Sequence, residues 1–151
     1  MAFDAFLKID GINGESKGGE IQLESFSWGV SNSHSSATRD PDERRNRASF
    51  QDFSFAALVG RQSPQLFEAV AEGKPIGSAT LTVNTGGIIV KGGTADLLTI
   101  KFMDVFIASY KLDEGAGTGV QLSAPMESVS FNFAKVEFQS GGKFGAANVG
   151  D

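Results

Sequence analysis

The stretch Leu98-Thr99-Ile100-Lys101-Phe102-Met103-Asp104-Val105-Phe106-Ile107-Ala108-Ser109-Tyr110-Lys111-Leu112 carries the longest hydrophobic pattern in the chain. Leu98, Ile100, Phe102, Phe106, Ala108, Tyr110 and Leu112 share one parity, and Met103, Val105 and Ile107 take the other. Period-two alternation is the mark of a β-strand. At ~3.3 Å per residue this strand reaches about 50 Å, whereas a chain of 151 residues folds to a body roughly 40 Å across. The strand must therefore bend around a barrel or project beyond the body. A lone barrel keeps a polar outer face, so Met103, Val105 and Ile107 are expected to be covered by a neighbouring subunit.

Working outward, the same alternation recurs. Phe3, Ala5, Leu7 and Ile9 form a first strand that ends at Asp10-Gly11. The run from Glu20 to Val30 begins with Ile21 and Leu23 on one face and then moves to Phe26, Trp28 and Val30 on the other. Such a change of phase needs a bulge, or two halves that bury opposite faces. Phe50, Phe53 and Phe55 read as a third strand ending near Leu58, and Ile76 to Val83 as a fourth. Gly86-Gly87 and Gly92-Gly93 bracket the apolar run Ile88-Ile89-Val90. Met126 to Gln139 changes phase between Phe133 and Val136. One helix is expected over Pro64–Glu72, with Ser63 as N-cap and Pro64 at its first position. Leu66, Phe67 and Val70 lie on one of its faces, and Gly73 stops it. Residues 31–47 have neither period and read as a long projecting loop. The predicted fold is mainly β: a bent-sheet β-barrel of six or seven strands with one short flanking α-helix. It spans residues 1–139, and residues 140–151 are a flexible glycine-rich tail.

Composition closes off many functions. The chain has no cysteine, which excludes disulfides, thiolate metal sites and cysteine catalysis, and its one histidine excludes a multi-histidine metal site. The formal charge of −5 offers no electrostatic footprint for nucleic acid. No apolar run approaches the ~18 residues of a membrane helix, and Met1 to Phe6 lacks the basic start of a signal peptide. The protein is expected to be made in the cytoplasm and, if exported, to leave without a cleaved signal.

No catalytic constellation emerges. His34 sits among Ser31, Ser33, Ser35 and Ser36, and a hydrolase would need Asp40 to orient it and a serine on a strained elbow; no Gly-x-Ser-x-Gly is present in this loop. Arg39, Arg44, Arg45 and Arg47 are interleaved with Asp40, Asp42 and Glu43, which suits a self-paired solvated loop or a contact to a neighbouring subunit. The acidic residues lack the spacing of a calcium loop. Gly115 to Gly119 lacks the Lys-Ser/Thr pair of a phosphate loop. The sequence calls for no cofactor and no metal. Ser25, Ser27 and Gly29 form a small polar strip opposite Phe26 and Trp28, suited to solvent or to the wall of a wet channel.

Several motifs carry a family resemblance. Asp4-Ala5-Phe6-Leu7-Lys8-Ile9-Asp10-Gly11, followed by Gly14-Glu15-Ser16, resembles the opening of the haemolysin-coregulated proteins (Hcp), the inner-tube subunits of bacterial type VI secretion systems. Glu24-Ser25-Phe26-Ser27-Trp28-Gly29-Val30-Ser31 resembles the family's second-strand signature. Phe50-Gln51-Asp52-Phe53-Ser54-Phe55, the helix Ser63 to Lys74, Ala79-Thr80-Leu81-Thr82-Val83 and Val129 to Val136 follow in family order. The resemblance runs from Ala2 to about Gln139 and implies a barrel that assembles into homohexameric rings. Rings stack into a tube that a contractile sheath drives out beneath a spike protein, and the lumen holds small effector proteins. It implies a non-enzymatic role, with no nucleic acid and no membrane insertion. The family's luminal serine between two aromatics matches Ser27, with Ser25 beside it on the strip. The loop's contact to neighbouring subunits falls on Arg39, Asp42, Glu43, Arg44, Arg45 and Arg47. Relatives often fill this loop with glycines; the charges here make ring stacking salt-sensitive. The alternatives are a monomeric β-barrel module that binds a small ligand or glycan, and a hydrolase using His34.

Overall fold

A computed structural model describes residues 4–32, 48–90, 93–113, 125–140 and 143–149. Its strands are β1 (Asp4–Ile9), β2 (Ile21–Leu23), β3 (Ser25–Ser27), β4 (Val30–Asn32), β5 (Ala48–Phe50) and β6 (Phe53–Leu58), then β7 (Pro75–Val90), β8 (Gly93–Asp113), β9 (Met126–Asn132), β10 (Lys135–Ser140) and β11 (Lys143–Asn148). The helix α1 spans Ser63–Glu72. The main sheet is antiparallel in the order β2-β1-β7-β8-β9-β6-β3, with β10 added to β8 and β11 to β10, while β4 and β5 pair separately. The mainly β class holds, but the sheet is not closed into a barrel. Its path ends at β2 on one side and β3 on the other, and no ladder joins them. These two are successive pieces of one run broken at Glu24, whose N–H donates to the Ala56 carbonyl at 2.8 Å. The change of phase after Leu23 is therefore a change of partner, from β1 to β6.

The expected long strand is β8, and it corrects the reading of its own faces. One edge of β8 pairs with β7, and the other takes β10 along Leu98–Met103 and then β9 from Phe106 onward. The switch falls at Asp104, the one non-glycine residue with positive φ among those described, at 55°. A left-handed residue inside a strand adds a half-turn, so the parity of the core side flips there. Phe102 is buried before the switch, and Val105 and Ile107 are buried after it, at 1% and 3% exposure. These two thus need no neighbouring subunit, and Met103 is half-buried. The exposed apolar groups are instead Phe106 and Leu112, from the opposite parity. The strand also projects. Beyond Asn84 and Leu98, β7 and β8 pair with no strand but each other among the described residues.

Other expectations shift by a residue or two. Phe50 belongs to β5 and Phe53 to β6, so the single third strand is two. The C-terminal segment expected to be loose contains β11, paired with β10 from Lys135↔Asn148 to Ser140↔Lys143, with Ala147 and Val149 packed on the core. Its alternation is weak because most of its side chains are small. Residues 33–47 and 114–124 lie outside the described residues, and so do His34 and Gly115 to Gly119.

Phenylalanine builds the core. Phe53, Phe102 and Phe131, one each from β6, β8 and β9, are fully buried with all three ring pairs 5.1 Å apart, and Phe133 lies 4.7 Å from Phe102. Rings at these separations add about 0.5–1.5 kcal/mol per pair beyond area burial. Unlike tyrosine or tryptophan, they bring no polar atom that must find a partner.

Helix α1 starts one residue earlier than the sequence suggests. Gln62 takes the N-cap position, and Ser63 is buried rather than capping. Its Oγ accepts the Gly60 N–H at 3.0 Å and donates to the Glu127 carboxylate at 2.5 Å. Gln62 Nε2 donates to the other oxygen of Glu127 at 2.8 Å, and the Tyr110 hydroxyl donates at 3.1 Å. Glu127 is wholly buried, so these bonds stand in for its water. They bind the start of the helix to β8 and β9. The buried helix face is Ser63, Leu66 and Ala69, which leaves Phe67 61% exposed, not inward as its spacing suggested. Gly73 ends the helix at φ 65°. Burial raises the Tyr110 pKa, and the charge of Glu127 raises it further.

Three outcomes follow. Asp104→Val forces a β-branched residue into the left-handed region and lowers unfolding free energy by about 1–2 kcal/mol in a urea titration. Glu127→Ala orphans buried donors that each cost about 1–3 kcal/mol, for a loss of about 2–4 kcal/mol by the same measurement. Tyr110 is the chain's only tyrosine, so its ultraviolet titration is unambiguous. Its midpoint lies above the ordinary value of about 10 and falls back in Glu127→Gln. Because the folded value is raised, this group stabilises the fold below the unfolded pKa, and the contribution is lost as pH climbs through the folded one.

Candidate functional site: a serine-paved sheet face

Four strands repeat one local pattern: a small or polar residue, an inward apolar residue, and another outward polar or small one. The triplets are Ser25-Phe26-Ser27 on β3, Ser54-Phe55-Ala56 on β6, Ser128-Val129-Ser130 on β9 and Ser109-Tyr110-Lys111 on β8. Phe55 and Val129 are buried, while Phe26 and Tyr110 are half-buried against the core. Alternation then sends every flanking residue to the opposite face.

The ladder registers align these residues into two rows. Ser27 pairs with Ser54, Ser54 with Ser130, and Ser130 with Ser109. One step along, Ser25 pairs with Ala56, Ala56 with Ser128, and Ser128 with Lys111. Four strands at ~4.8 Å spacing make a strip about 15 Å wide. It is a shallow depression floored by hydroxyls, with Lys111 at its β8 end. Ser109 and Ser130 share a hydrogen bond at 2.6 Å. Directly behind the strip, on the inner side of the same strands, stand Tyr110 and Glu127, bonded to each other and to α1.

The chemistry of this face is that of a wet wall. Hydroxyls donate and accept weakly, their small side chains leave a smooth surface, and nothing encloses a small molecule. The described serines of the strip have no base or carboxylate bonded to them. Among the described residues, no three His, Cys, Asp or Glu side chains are placed to hold a metal ion, and no helix is long and apolar enough to cross a membrane.

Ser25 and Ser27 stand on this face, as the sequence suggested. Arg39, Asp42, Glu43, Arg44, Arg45 and Arg47 lie outside the described residues. Sequence reasoning missed Ser54, Ser109, Ser128 and Ser130, although each belongs to the same triplet pattern as Ser27. The registers that bring them together join residues as far apart as Ser54 and Ser130, and no local pattern states them. It missed Glu127 as well, since an isolated Glu in a strand reads as solvent-facing.

Residues 6–139 match the profile of the family described as "Type VI secretion system effector, Hcp". Protein hcp1 of Pseudomonas aeruginosa is 31% identical over 140 residues, covering 91% of this chain and 82% of that protein. The crystal structure of Hcp1 from Salmonella typhimurium superposes with a TM-score of 0.71 at 30% identity, covering 97% of this chain and 93% of that one. A type VI secretion system effector from Yersinia pestis gives 0.70 at 28% identity, covering 97% of this chain and all (100%) of that one. The match over residues 6–139 and the likeness along nearly the whole chain lead to one conclusion: this chain belongs to the Hcp family of type VI secretion proteins.

Proposed function

We propose that this chain is a structural tube subunit. Six copies close into a ring, rings stack into the inner tube of a type VI secretion system, and the lumen carries small effector proteins. The observation that carries this reading is the double row of small polar residues across β3, β6, β9 and β8. A sheet face that touches only solvent has no reason to exclude large side chains. A channel wall does, because bulk there narrows the bore, and strong charge or exposed aromatics would hold cargo too tightly. Ser27 and Ser25 are the cargo-contacting positions, extended here to Ser54, Ser109, Ser128 and Ser130. Sheath and spike are the machine partners outside and ahead of the tube. The charged segment containing Arg39, Asp42, Glu43, Arg44, Arg45 and Arg47 makes contacts between subunits or stacked rings. Exposed charge pairs are screened by salt, so those contacts weaken as ionic strength rises.

Light scattering on a sizing column, with negative-stain images of the main peak, tests the reading: the expected mass is near six protomers with ring-shaped particles. A clean monomer at high concentration and low salt would favour a separate binding module. Ser27→Gln places a long side chain in the middle of the serine row. It reduces co-purification of an effector while leaving ring mass unchanged, and loss of the ring would move Ser27 from the lumen to an interface. Shortening residues 36–46 reduces assembly and leaves the near-ultraviolet spectrum of Trp28 intact; an unchanged oligomer would remove this segment from the interface.

A further inference from the structure

A cleft of about 390 Å³ opens where the end of β1, helix α1 and the start of β7 meet, and it shares no lining residue with the serine strip. Its walls are fixed before any ligand arrives. Pro64 and Pro75 hold their own backbone torsions. Gly73 closes the helix in the left-handed region, and the Lys74 N–H donates to the Ala69 carbonyl at 3.0 Å. On the β1 side, the Gln65 side chain straps the helix to the turn that follows the strand. Its Oε1 accepts the Asn13 N–H and its Nε2 donates to the Asn13 carbonyl, both at 3.3 Å. The floor is apolar, with Ile12, Ala69 and Ile76 all buried. A preformed hollow with an apolar floor and a few polar groups at its rim is the usual form of a binding site.

The rim decides which chemistry fits. Asp10 and Glu68 bring two carboxylates and Lys74 one ammonium, all three exposed. Among the described residues, no ion pair or side-chain hydrogen bond reaches any of them. Gly77 leaves room for one of the acids, since a Cβ there would stand 3.1 Å from Oδ2 of Asp10. The ladder sets Asp104 opposite Gly77, between Ile76↔Val105 and Ser78↔Met103, so a further negative charge stands next to this wall. The rim therefore favours a cation. A bare metal ion does not suit it, because no three acidic side chains among the described residues are placed to hold one. Separate acids above an apolar floor suit a long side chain with its charge at the tip. Arginine lays its methylene stem on apolar surface, and its planar fork of donors serves more than one carboxylate. We propose that this cleft receives an arginine side chain presented by a partner protein, with the stem along Ile12 and Ile76 and the guanidinium held by Asp10 and Glu68. The proposal is independent of whether the serine strip lines a lumen.

The test reads the floor directly. Isoleucine δ1 methyl groups are labelled for NMR, which reports Ile12 and Ile76 in a monomer or in a large ring alike. The probes are the capped tripeptide glycyl-arginyl-glycine and its citrulline counterpart, which keeps the shape and lacks the charge. The arginine peptide is expected to shift the Ile12 and Ile76 methyl signals saturably, while Ile100 in the core stays in place. The citrulline peptide is expected to shift none of them. Asp10→Asn and Glu68→Gln alter exposed side chains and leave the fold intact. Each is expected to weaken binding by about two- to fivefold, as for an exposed ion pair, and raised salt to weaken it further. Together they are expected to abolish saturation. Floor methyls that do not move with the arginine peptide overturn the proposal. So does citrulline that binds equally well, or a double variant that binds like the wild type.

Discussion

Most of this fold depends on three phenylalanine rings in mutual contact. Phe53, Phe102 and Phe131 come from β6, β8 and β9, and their contacts hold the registers of those strands together. Register has consequences on both faces of a sheet, because slipping a strand by one residue exchanges its inner and outer side chains. The serine rows stand on the outer sides of these strands. A slip of β9 would turn Ser128 and Ser130 into the core and Val129 and Phe131 out of it. The free energy of aromatic packing therefore also maintains the polar face, and residues buried in the core decide whether hydroxyls stand on it.

Asp104 resolves the geometry of the longest strand. A straight strand of this length cannot serve one compact core. The left-handed turn at Asp104 changes the parity at the point where β8 exchanges β10 for β9 as its second neighbour. One strand thereby serves two parts of the sheet and buries Phe102 and Val105 in a common interior. The Glu127 cluster works alongside it. A buried carboxylate without a basic partner is costly unless donors replace its water. Here Gln62, Ser63 and Tyr110 do so, and because the first two are the N-cap and first residue of the helix, the electrostatic requirement of one side chain seats α1 on the sheet.

Membership of the Hcp family and the observed face fit one another. Helix, aromatic core and carboxylate cluster lie on one side of β8 and β9, and an unencumbered hydroxylated strip lies on the other. The exposed large apolar groups among the described residues are Val30, Phe67, Phe106, Leu112, Phe138 and Phe144, and none of them belongs to that strip. The expectation that Val105 and Ile107 need a neighbouring subunit does not hold, because the parity change at Asp104 takes both inside.

The sequence by itself determined the class of the fold and the place of its helix, because alternation, Pro64 and Gly73 act over a few residues. It also marked Ser25 and Ser27, since a small polar residue beside aromatics is a local signal. The triplets around Ser54, Ser109 and Ser128 were equally legible one by one. What only the tertiary structure decided was how they align, where β8 turns its faces over, and that Glu127 lies inside. Registers and parity changes are set by contacts between residues far apart in the chain, and a backbone that leaves the common region of φ at a single aspartate leaves no periodic trace.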